Sequence, residues 1–241
     1  MYRTGNRSRG AIILLTIVMA APLGAQEQRQ PGRGGFRSRG LLTSLAIAPT
    51  VQAELKVADD MKQQLLELSE EANNEQGEQM RALFAGGIQD LSDDERLKIS
   101  EKMAETTRSL NTKYRPKLKA LLKDDQYARL QQIGWQAAGS MALAESDLGQ
   151  QLQLTPEQQS RLAGIHRDFL RQQVALVSSA LGGGNFEEFR TKSRDLMQQR
   201  DKAAEEVLTP EQRAKYGDLK GQPFDLTTLP QGGFGGRRRD N

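Results

Sequence analysis

The pentapeptide Leu-Thr-Pro-Glu-Gln occurs twice in the chain, at 154–158 and at 208–212. A threonine hydroxyl caps the first turn of a helix, proline fits the first helical position, and a first-turn glutamate faces the positive end of the helix dipole. The glutamine stands three residues after the threonine, which is the spacing of a capping box. Each copy therefore predicts a helix start. The ten motif residues are Leu154, Thr155, Pro156, Glu157, Gln158, Leu208, Thr209, Pro210, Glu211 and Gln212.

Three further segments have a related pattern. Ser92 is followed three residues later by Glu95, which predicts another capping box. The segments 58–60 and 123–125 keep first-turn aspartates but lack a capping hydroxyl. Weaker helix boundaries are therefore expected at these two segments than at Ser92.

Glycine clusters and one proline predict the breaks between helices. The glycines at 86–87 and 182–184 are expected to form the tips of helical hairpins, with Ser92 and Asn185 starting the next helix. Pro116 is expected to kink a long helix, because proline removes one backbone donor and clashes with the preceding turn.

Apolar residues recur at alternating steps of four and three, which is the period of an amphipathic helix. Aromatic residues make up 5% of the chain, and the strong helix formers Gln, Glu, Lys, Arg, Leu and Ala dominate. We therefore predict an all-α fold, in which the long polar stretch 69–79 faces water. The apolar stripes are Met61, Leu65, Leu68 and Ala72; Ile99, Met103, Thr106 and Leu110; and Leu162, Ile165 and Phe169.

The helical part of the sequence aligns with itself. A displacement of 97 positions aligns 51–68 with 148–165, and a displacement of 86 positions aligns 121–130 with 207–216. An internal duplication explains both alignments. It predicts two repeated antiparallel helical-hairpin units with kinked long helices. The predicted units are 45–140 and 141–226.

Residues 1–25 have the pattern of a secretory signal peptide. Three arginines precede an apolar run at 11–23, and small residues follow up to Ala25, where cleavage is expected. The run is shorter than the ~20 residues that cross a bilayer as a helix, so a permanent anchor is the weaker interpretation. A periplasmic or secreted location is predicted, and this location argues against nucleic acid as a partner.

Segments rich in Arg and Gly flank the helical part, at 26–44 and 227–241. Such segments have too few apolar residues to offset the entropy lost on ordering, so both tails are predicted to be disordered. Removing residues 1–25 leaves equal numbers of basic and acidic residues, so the basic tails leave the helical part acidic. The tails are either solvated and flexible or weakly attracted to anionic surfaces.

The composition argues against an enzyme. The chain has no cysteine and one histidine, so it lacks the side chains for a disulfide framework, a thiolate zinc site or a multi-histidine centre. His166 has no ligand-type residue three or four positions away, and most paired acids stand at helix starts or on polar faces. We therefore predict no catalytic residues, no cofactor site and no metal site.

Trp135 is the largest apolar side chain and stands close to Gly134 and Gly139. One interpretation is an anchor that packs the first unit against the second. The other is an exposed aromatic contact for a partner or client.

Paired LTPEQ helix starts in an exported, cysteine-free, Gln-rich chain resemble the LTxxQ-motif proteins, the Spy and CpxP family of periplasmic stress proteins. The resemblance covers 154–158 and 208–212 directly. It implies bent helical hairpins, often in a cradle-shaped dimer, and either ATP-independent chaperone activity or repression of an envelope stress sensor. This chain is predicted to carry two hairpin units, so one chain is expected to form the pair of hairpins that a dimer forms in the family. The oligomeric state therefore stays open. Some members bind metal, but the ligand residues are missing here.

Two functions follow as hypotheses. The first is a non-enzymatic binding protein that shields apolar segments of unfolded client proteins. The second is a structural or regulatory protein, whose helical part docks on a sensor or another envelope component while the basic tails bind anionic surfaces.

Overall fold

A computed structural model describes residues 40–87, 91–181 and 185–229. Within these ranges the chain is helical and contains no strand, which confirms the predicted all-α class. The α-helices are α1 (Leu42–Ala46), α2 (Pro49–Glu54), α3 (Asp59–Leu83), α4 (Asp93–Leu121), α5 (Asp124–Ala138), α6 (Ser146–Gln151), α7 (Pro156–Leu181), α8 (Phe186–Val207) and α9 (Pro210–Lys220). Two 3-10 helices span Gly139–Ala144 and Leu226–Thr228.

The four long helices lie side by side: α3 contacts α4, α4 contacts α7, and α7 contacts α8. Glu75 of α3 accepts a hydrogen bond of 2.6 Å from Lys113 Nζ and one of 2.8 Å from the Tyr114 hydroxyl, both on α4. Ser178, near the end of α7, donates a hydrogen bond of 2.7 Å to Asp93 at the start of α4. The cross-helix pairs show that α3 and α4 are antiparallel, as are α4 and α7, and the end of α7 lies beside the start of α4.

The helix starts differ in how well they are capped. Ser92 forms a complete capping box with Glu95, as its sequence predicts, and Asn185 caps α8 by accepting from the Glu187 backbone N–H. Ala58, before α3, makes no side-chain capping bond. At α5 the backbone N–H of Lys123 donates to the side chain of the third helical residue, while Lys123 itself supplies no capping bond.

The structure tests the predicted helix breaks in part. α4 continues as one α-helix through Pro116, and the kink there stays a prediction. α3 ends just before the glycines at 86–87, and Gly87 has a φ of 81°, a left-handed conformation that glycine adopts without strain. The glycines at 182–184 lie outside the described residues.

The prediction that the polar stretch 69–79 faces water is wrong for two of its polar residues. Ser69 is fully buried, and Gln76 is 6% exposed. Gln76 Nε2 donates to Thr107 Oγ1 across 3.1 Å, from α3 to α4. Ser69 accepts from Asn73 Nδ2 across 3.2 Å. Polar side chains enter the helix interface here because each has a hydrogen-bond partner there.

Both boundaries of the predicted tails need correction. Residues 42–44 belong to α1, and Leu41 and Thr43 are buried, so the segment predicted to be disordered up to 44 is folded from 41 onward. At the other end, 227 and 228 belong to a 3-10 helix, and Leu229 packs against a buried cluster. The apolar side chains at 41, 42 and 229 explain both differences, since they have a core to join.

The predicted signal peptide at 1–25 and the rest of both tails lie outside the described residues. Within the described ranges, no helix has the length and apolar character needed to span a membrane.

The interior consists of two buried clusters. The first cluster contains side chains of the five helices from α1 through α5. The second contains side chains of the end of α5, the 139–144 helix, α6, α7, α8 and α9. The first contains Leu41, Ala46, Ala48, Val51, Leu55, Val57, Leu65, Leu68, Ala72, Leu110, Tyr114, Leu118, Leu122, Tyr127, Leu130 and Ile133. The second contains Trp135, Ala142, Leu143, Leu148, Leu152, Leu154, Leu162, Ala204, Val207, Leu208 and Tyr216.

The last described segment returns to the first cluster, although it follows the second along the chain. Phe224 and Leu229 pack against the first cluster. The Phe224 backbone N–H donates to Gln136 Oε1 across 2.8 Å, and Arg129 Nη1 donates to the Gln222 carbonyl across 2.8 Å. Residues 221–229 therefore form a C-terminal strap across α5.

Candidate functional site

The four long helices divide into a well-packed base and two arms. The first arm comprises residues 77–87 and 91–109, the second arm comprises residues 169–181 and 185–200, and the other described residues form the base. No described residue of the first arm is buried. In the second arm, Val174 and Ser193 are the buried residues among those whose side chains are described. The buried clusters therefore lie almost entirely in the base.

The arms carry many large apolar side chains that are half-buried or exposed. Val177 is 37% exposed and Met197 is 43% exposed, and both lie on the second arm. Large contiguous apolar patches on a protein surface often mark protein-binding sites, whereas single exposed apolar side chains are ordinary. The large half-buried apolar residues are Met80, Leu83, Phe84, Leu91, Leu97, Ile99 and Met103 on the first arm and Phe169, Leu170, Leu176, Phe189 and Leu196 on the second.

Exposed polar contacts join α4 of the first arm to α7, one from Ser178 on the second arm and one from Arg167, two residues before that arm begins. Arg167 Nε of α7 lies 3.3 Å from Glu101 Oε1 of α4, and more than two fifths of each side chain is exposed. The Ser178–Asp93 hydrogen bond is also exposed. Exposed ion pairs stabilise by about 1 kcal/mol at most. The arms are thus held together less strongly than the base, and local opening there is expected to need little free energy.

The two LTPEQ motifs lie in the base, and both form capping boxes. The Thr155 backbone N–H donates to Gln158 Oε1 across 3.0 Å, and the Gln158 backbone N–H donates to Thr155 Oγ1 across 3.2 Å. The equivalent distances between Thr209 and Gln212 are 2.9 Å and 3.2 Å. The two motifs start α7 and α9 respectively.

The structure also brings the two motifs into direct contact, which the sequence does not predict. Gln158 Nε2 lies 2.6 Å from Gln212 Oε1, and Gln212 Nε2 lies 3.0 Å from Gln158 Oε1. Gln158 Nε2 also donates to the Val207 carbonyl, and Gln212 Nε2 to the Leu152 carbonyl. The motif leucines, Leu154 and Leu208, are buried in the second cluster. We call this reciprocal pair of side chains the glutamine pair; it holds the start of α7 against the start of α9.

The first cluster contains half of this arrangement. Gln126, which aligns with Gln212, donates from Nε2 to the Leu55 carbonyl across 2.9 Å. Met61 aligns with Gln158 and supplies no amide, so no second glutamine pair forms. Lys56 and Gln153, which also align, have nearly the same left-handed φ values of 51° and 52°. The local backbone therefore matches at these two positions, while the side-chain pairing differs.

The motif glutamates have lowered pKa values. Hydrogen bonding from its own backbone N–H, followed by the Thr155 hydroxyl, lowers the pKa of Glu157. The same two groups, with Thr209 in place of Thr155, lower the pKa of Glu211. Both carboxylates are therefore charged at neutral pH, which suits an interaction with the helix dipole and not a proton donor.

Trp135 does not form a surface contact. Its side chain is 5% exposed and belongs to the second cluster, although the residue lies on α5. The interpretation as an exposed contact for partners is therefore wrong for this conformation. The indole packs with residues of the 139–144 helix and of the later helices α6 to α9. This position agrees with the interpretation of Trp135 as an anchor.

His166 lies on α7 near the boundary between base and arm. Its ring nitrogens are shielded from water, and neither has a hydrogen-bond partner in the described protein. The described residues contain no group of three or more His, Cys, Asp or Glu side chains placed to hold a metal ion.

No protein-family model matches the chain, and no curated protein and no solved structure is significantly similar to it. The resemblance to the LTxxQ-motif proteins therefore stays a prediction from the two motifs.

Proposed function

We propose that the protein is an exported, non-enzymatic binding protein whose two arms hold apolar segments of unfolded proteins without ATP. The observation that carries this proposal is the contrast in burial. The four long helices are packed into buried clusters at the base, while the arms keep twelve large apolar side chains half-buried and two more exposed.

Arms of this kind suit clients with no fixed structure. Burying apolar surface is favourable and non-directional, so a partly hydrated apolar face can contact many sequences. Methionine adapts its shape to different contacts, and Met80, Met103 and Met197 lie on the arms. Charged residues of both signs alternate with these side chains, which keeps the free protein soluble.

The base supplies the rigid part of the proposal. The glutamine pair and the second cluster fix the start of α7 and the end of α8, so the second arm projects from a defined support. The first cluster does the same for α3 and α4.

The finer architecture belongs to the same proposal. It consists of two duplicated hairpin units, a kink at Pro116, export directed by 1–25 and membership of the LTxxQ-motif family. The matched φ values at Lys56 and Gln153 and the related contacts of Gln126 and Gln212 support the duplication. A periplasmic or secreted location is part of the proposal as well.

The test is suppression of aggregation of a client unfolded by reduction of its disulfides. This chain has no cysteine, so the reductant leaves it unchanged. We expect suppression at stoichiometric amounts without nucleotide. No suppression at severalfold excess would end the client-binding proposal and favour docking on one folded envelope partner.

A matched pair of variants locates the activity. Met197→Glu places a charge on the most exposed of these apolar side chains, and Gln198→Glu places the same charge on its exposed neighbour. We expect Met197→Glu to raise severalfold the amount of protein needed for half-maximal suppression, while Gln198→Glu has little effect. Equal effects of the two variants would show that the apolar face of the second arm is not the surface that binds the client.

A further inference from the structure

The environment of His166 is unusual for a residue whose charge changes near neutral pH. The ring stacks on Phe169, with 6.5 Å between ring centroids and 22° between ring planes. Both ring nitrogens are shielded from solvent without a hydrogen-bond partner in the described protein. A neutral imidazole has one donor and one acceptor, and an imidazolium has two donors. Protonation of the ring while it stays in its packed position therefore adds a second unpartnered donor and a positive charge.

The ring lines a small cavity between three elements. The cavity has a volume of about 20 Å³, room for one water molecule. Besides His166, its lining combines Ser140, Met141 and Ala144 of the 139–144 helix, Leu162 and Ile165 of α7, and Arg200 and Ala204 of α8. Apart from Ser140, whose hydroxyl is bonded to Asp201, and Arg200, these side chains are apolar. The site cannot solvate a charge on the ring as bulk water does.

The charged groups around the ring are mostly positive. Arg108 of α4 and Arg200 of α8 both act against a charge on His166, and Glu101 of α4 favours it. Glu101 is engaged by Arg167, and Asp201 Oδ1 accepts from Arg200. The 139–144 helix contributes no titratable side chain. Its Ser140 hydroxyl donates to Asp201, so that carboxylate is already shared.

Burial, followed by the charges of Arg108 and Arg200, lowers the pKa of His166 below its ordinary value of 6.5. The packed conformation thus favours the neutral ring. A conformation in which the ring reaches water recovers the ordinary value, so it binds the proton more readily.

We propose that His166 is a pH-sensitive switch, whose protonation drives the ring out of its cavity and loosens the second arm from the 139–144 helix and from α4. The neutral ring fills the junction between α7, α8 and the 139–144 helix. The charged ring leaves it, because bulk water supplies acceptors for both N–H groups, whereas no protein atom among the described residues at the junction accepts from either of them. The second arm then opens at mildly acidic pH, while the first arm, which has no histidine, responds less.

The direction in which pH changes the stability of the packed arm follows from the two pKa values of the ring. The pKa of the ring is lower in the packed conformation than in the open one, so the open conformation binds more protons. The stability of the packed arm is complete above pH 6.5. It falls as the pH drops from 6.5 to the packed-state pKa, by up to about tenfold in the opening equilibrium for each pH unit between the two values.

The chain has a single histidine, so its ring resonances give a direct measurement on the full-length protein. An NMR titration is expected to give a midpoint below 6.5. Arg108→Gln is expected to raise that midpoint, since it removes one opposing charge. A wild-type midpoint at or above 6.5 would overturn the switch without any variant that depends on folding.

Hydrogen exchange measured at pH 7.5 and pH 5.5, corrected for the intrinsic effect of pH, tests the opening. We expect severalfold faster exchange at pH 5.5 across 169–200, unchanged exchange across 65–76, and loss of the difference in His166→Gln. A difference that persists in His166→Gln, or that appears equally in both arms, would contradict the proposal. These readouts contain no client, so their outcome is separate from that of the client-binding test.

Discussion

The base and the arms are built from the same four helices, yet they differ in what their apolar residues do. In the base, Leu65, Leu110 and Leu118 are at most 1% exposed. In the arms, Leu97 and Ile99 stay half-buried on the same kind of helix. The difference comes from the short helices, because α1 packs on α3, α4 and α5, and α5 packs on α9. Stability is therefore concentrated in the base, which leaves the arms free to keep apolar surface available.

The largest expected effect is a cavity in the base. Leu65→Ala removes a fully buried side chain of α3 and should lower the free energy of unfolding by about 2–5 kcal/mol. Leu97→Ala, the same substitution on the first arm, should cost less than about 1 kcal/mol. Urea denaturation of both variants measures the contrast, and equal losses would show that base and arm do not differ.

Removing one member of the glutamine pair should have the next largest effect. Gln212→Ala removes a capping bond and leaves Gln158 without its amide partner, so we expect a loss of about 1–2 kcal/mol. Gln126→Ala is the control, because Gln126 bonds backbone carbonyls and no second glutamine. Its loss should be smaller.

A double-mutant cycle of Gln158→Ala and Gln212→Ala isolates the interaction between the two side chains. We expect a coupling free energy of at least about 0.5 kcal/mol. Additive losses would mean that each glutamine acts through its own capping box alone.

A smaller effect is expected at Tyr216, the buried aromatic of α9. Its hydroxyl donates to the Gly139 carbonyl across 2.9 Å, at the end of α5. Tyr216→Phe keeps the ring in the second cluster and removes this bond, so the expected loss is about 1 kcal/mol. Thermal unfolding measures it, and an unchanged melting temperature would show that the bond does not contribute.

The smallest effect is expected at the start of α4, on the first arm. Hydrogen bonds from the Ser92 hydroxyl and backbone N–H lower the pKa of Glu95 below its ordinary 4.5. This contribution to stability is present above pH 4.5 and is lost as the pH falls through the pKa of the folded state. An NMR titration of the Glu95 carboxyl should show a midpoint below 4.5, and Ser92→Ala should move it upward. An unchanged midpoint in that variant would contradict the capping box.

The helical class could be predicted because local signals decide it. Ser92 with Glu95 fixes a helix start through residues three positions apart, and the stripe Leu65, Leu68 and Ala72 is buried as its spacing predicts. Such features need no knowledge of the rest of the chain.

Features that depend on distant partners could not be predicted. The burial of Gln76 needs Thr107 on another helix, and the glutamine pair needs two motifs 54 positions apart to meet. The sequence shows only the helical neighbours of His166, while the cavity beside its ring also depends on the 139–144 helix and α8. Trp135 had two interpretations from the sequence because nothing local separates an anchor from a surface contact.

The C-terminal strap has a consequence for how the chain becomes folded. Phe224 and Leu229 complete an interior whose first members, such as Leu41, emerge from the ribosome almost two hundred residues earlier. The amino-terminal core thus stays unfinished until these two residues have been synthesised. A product that stops short of Phe224 lacks this last layer, so a truncation in the C-terminal segment weakens a cluster whose buried members lie between residues 41 and 133.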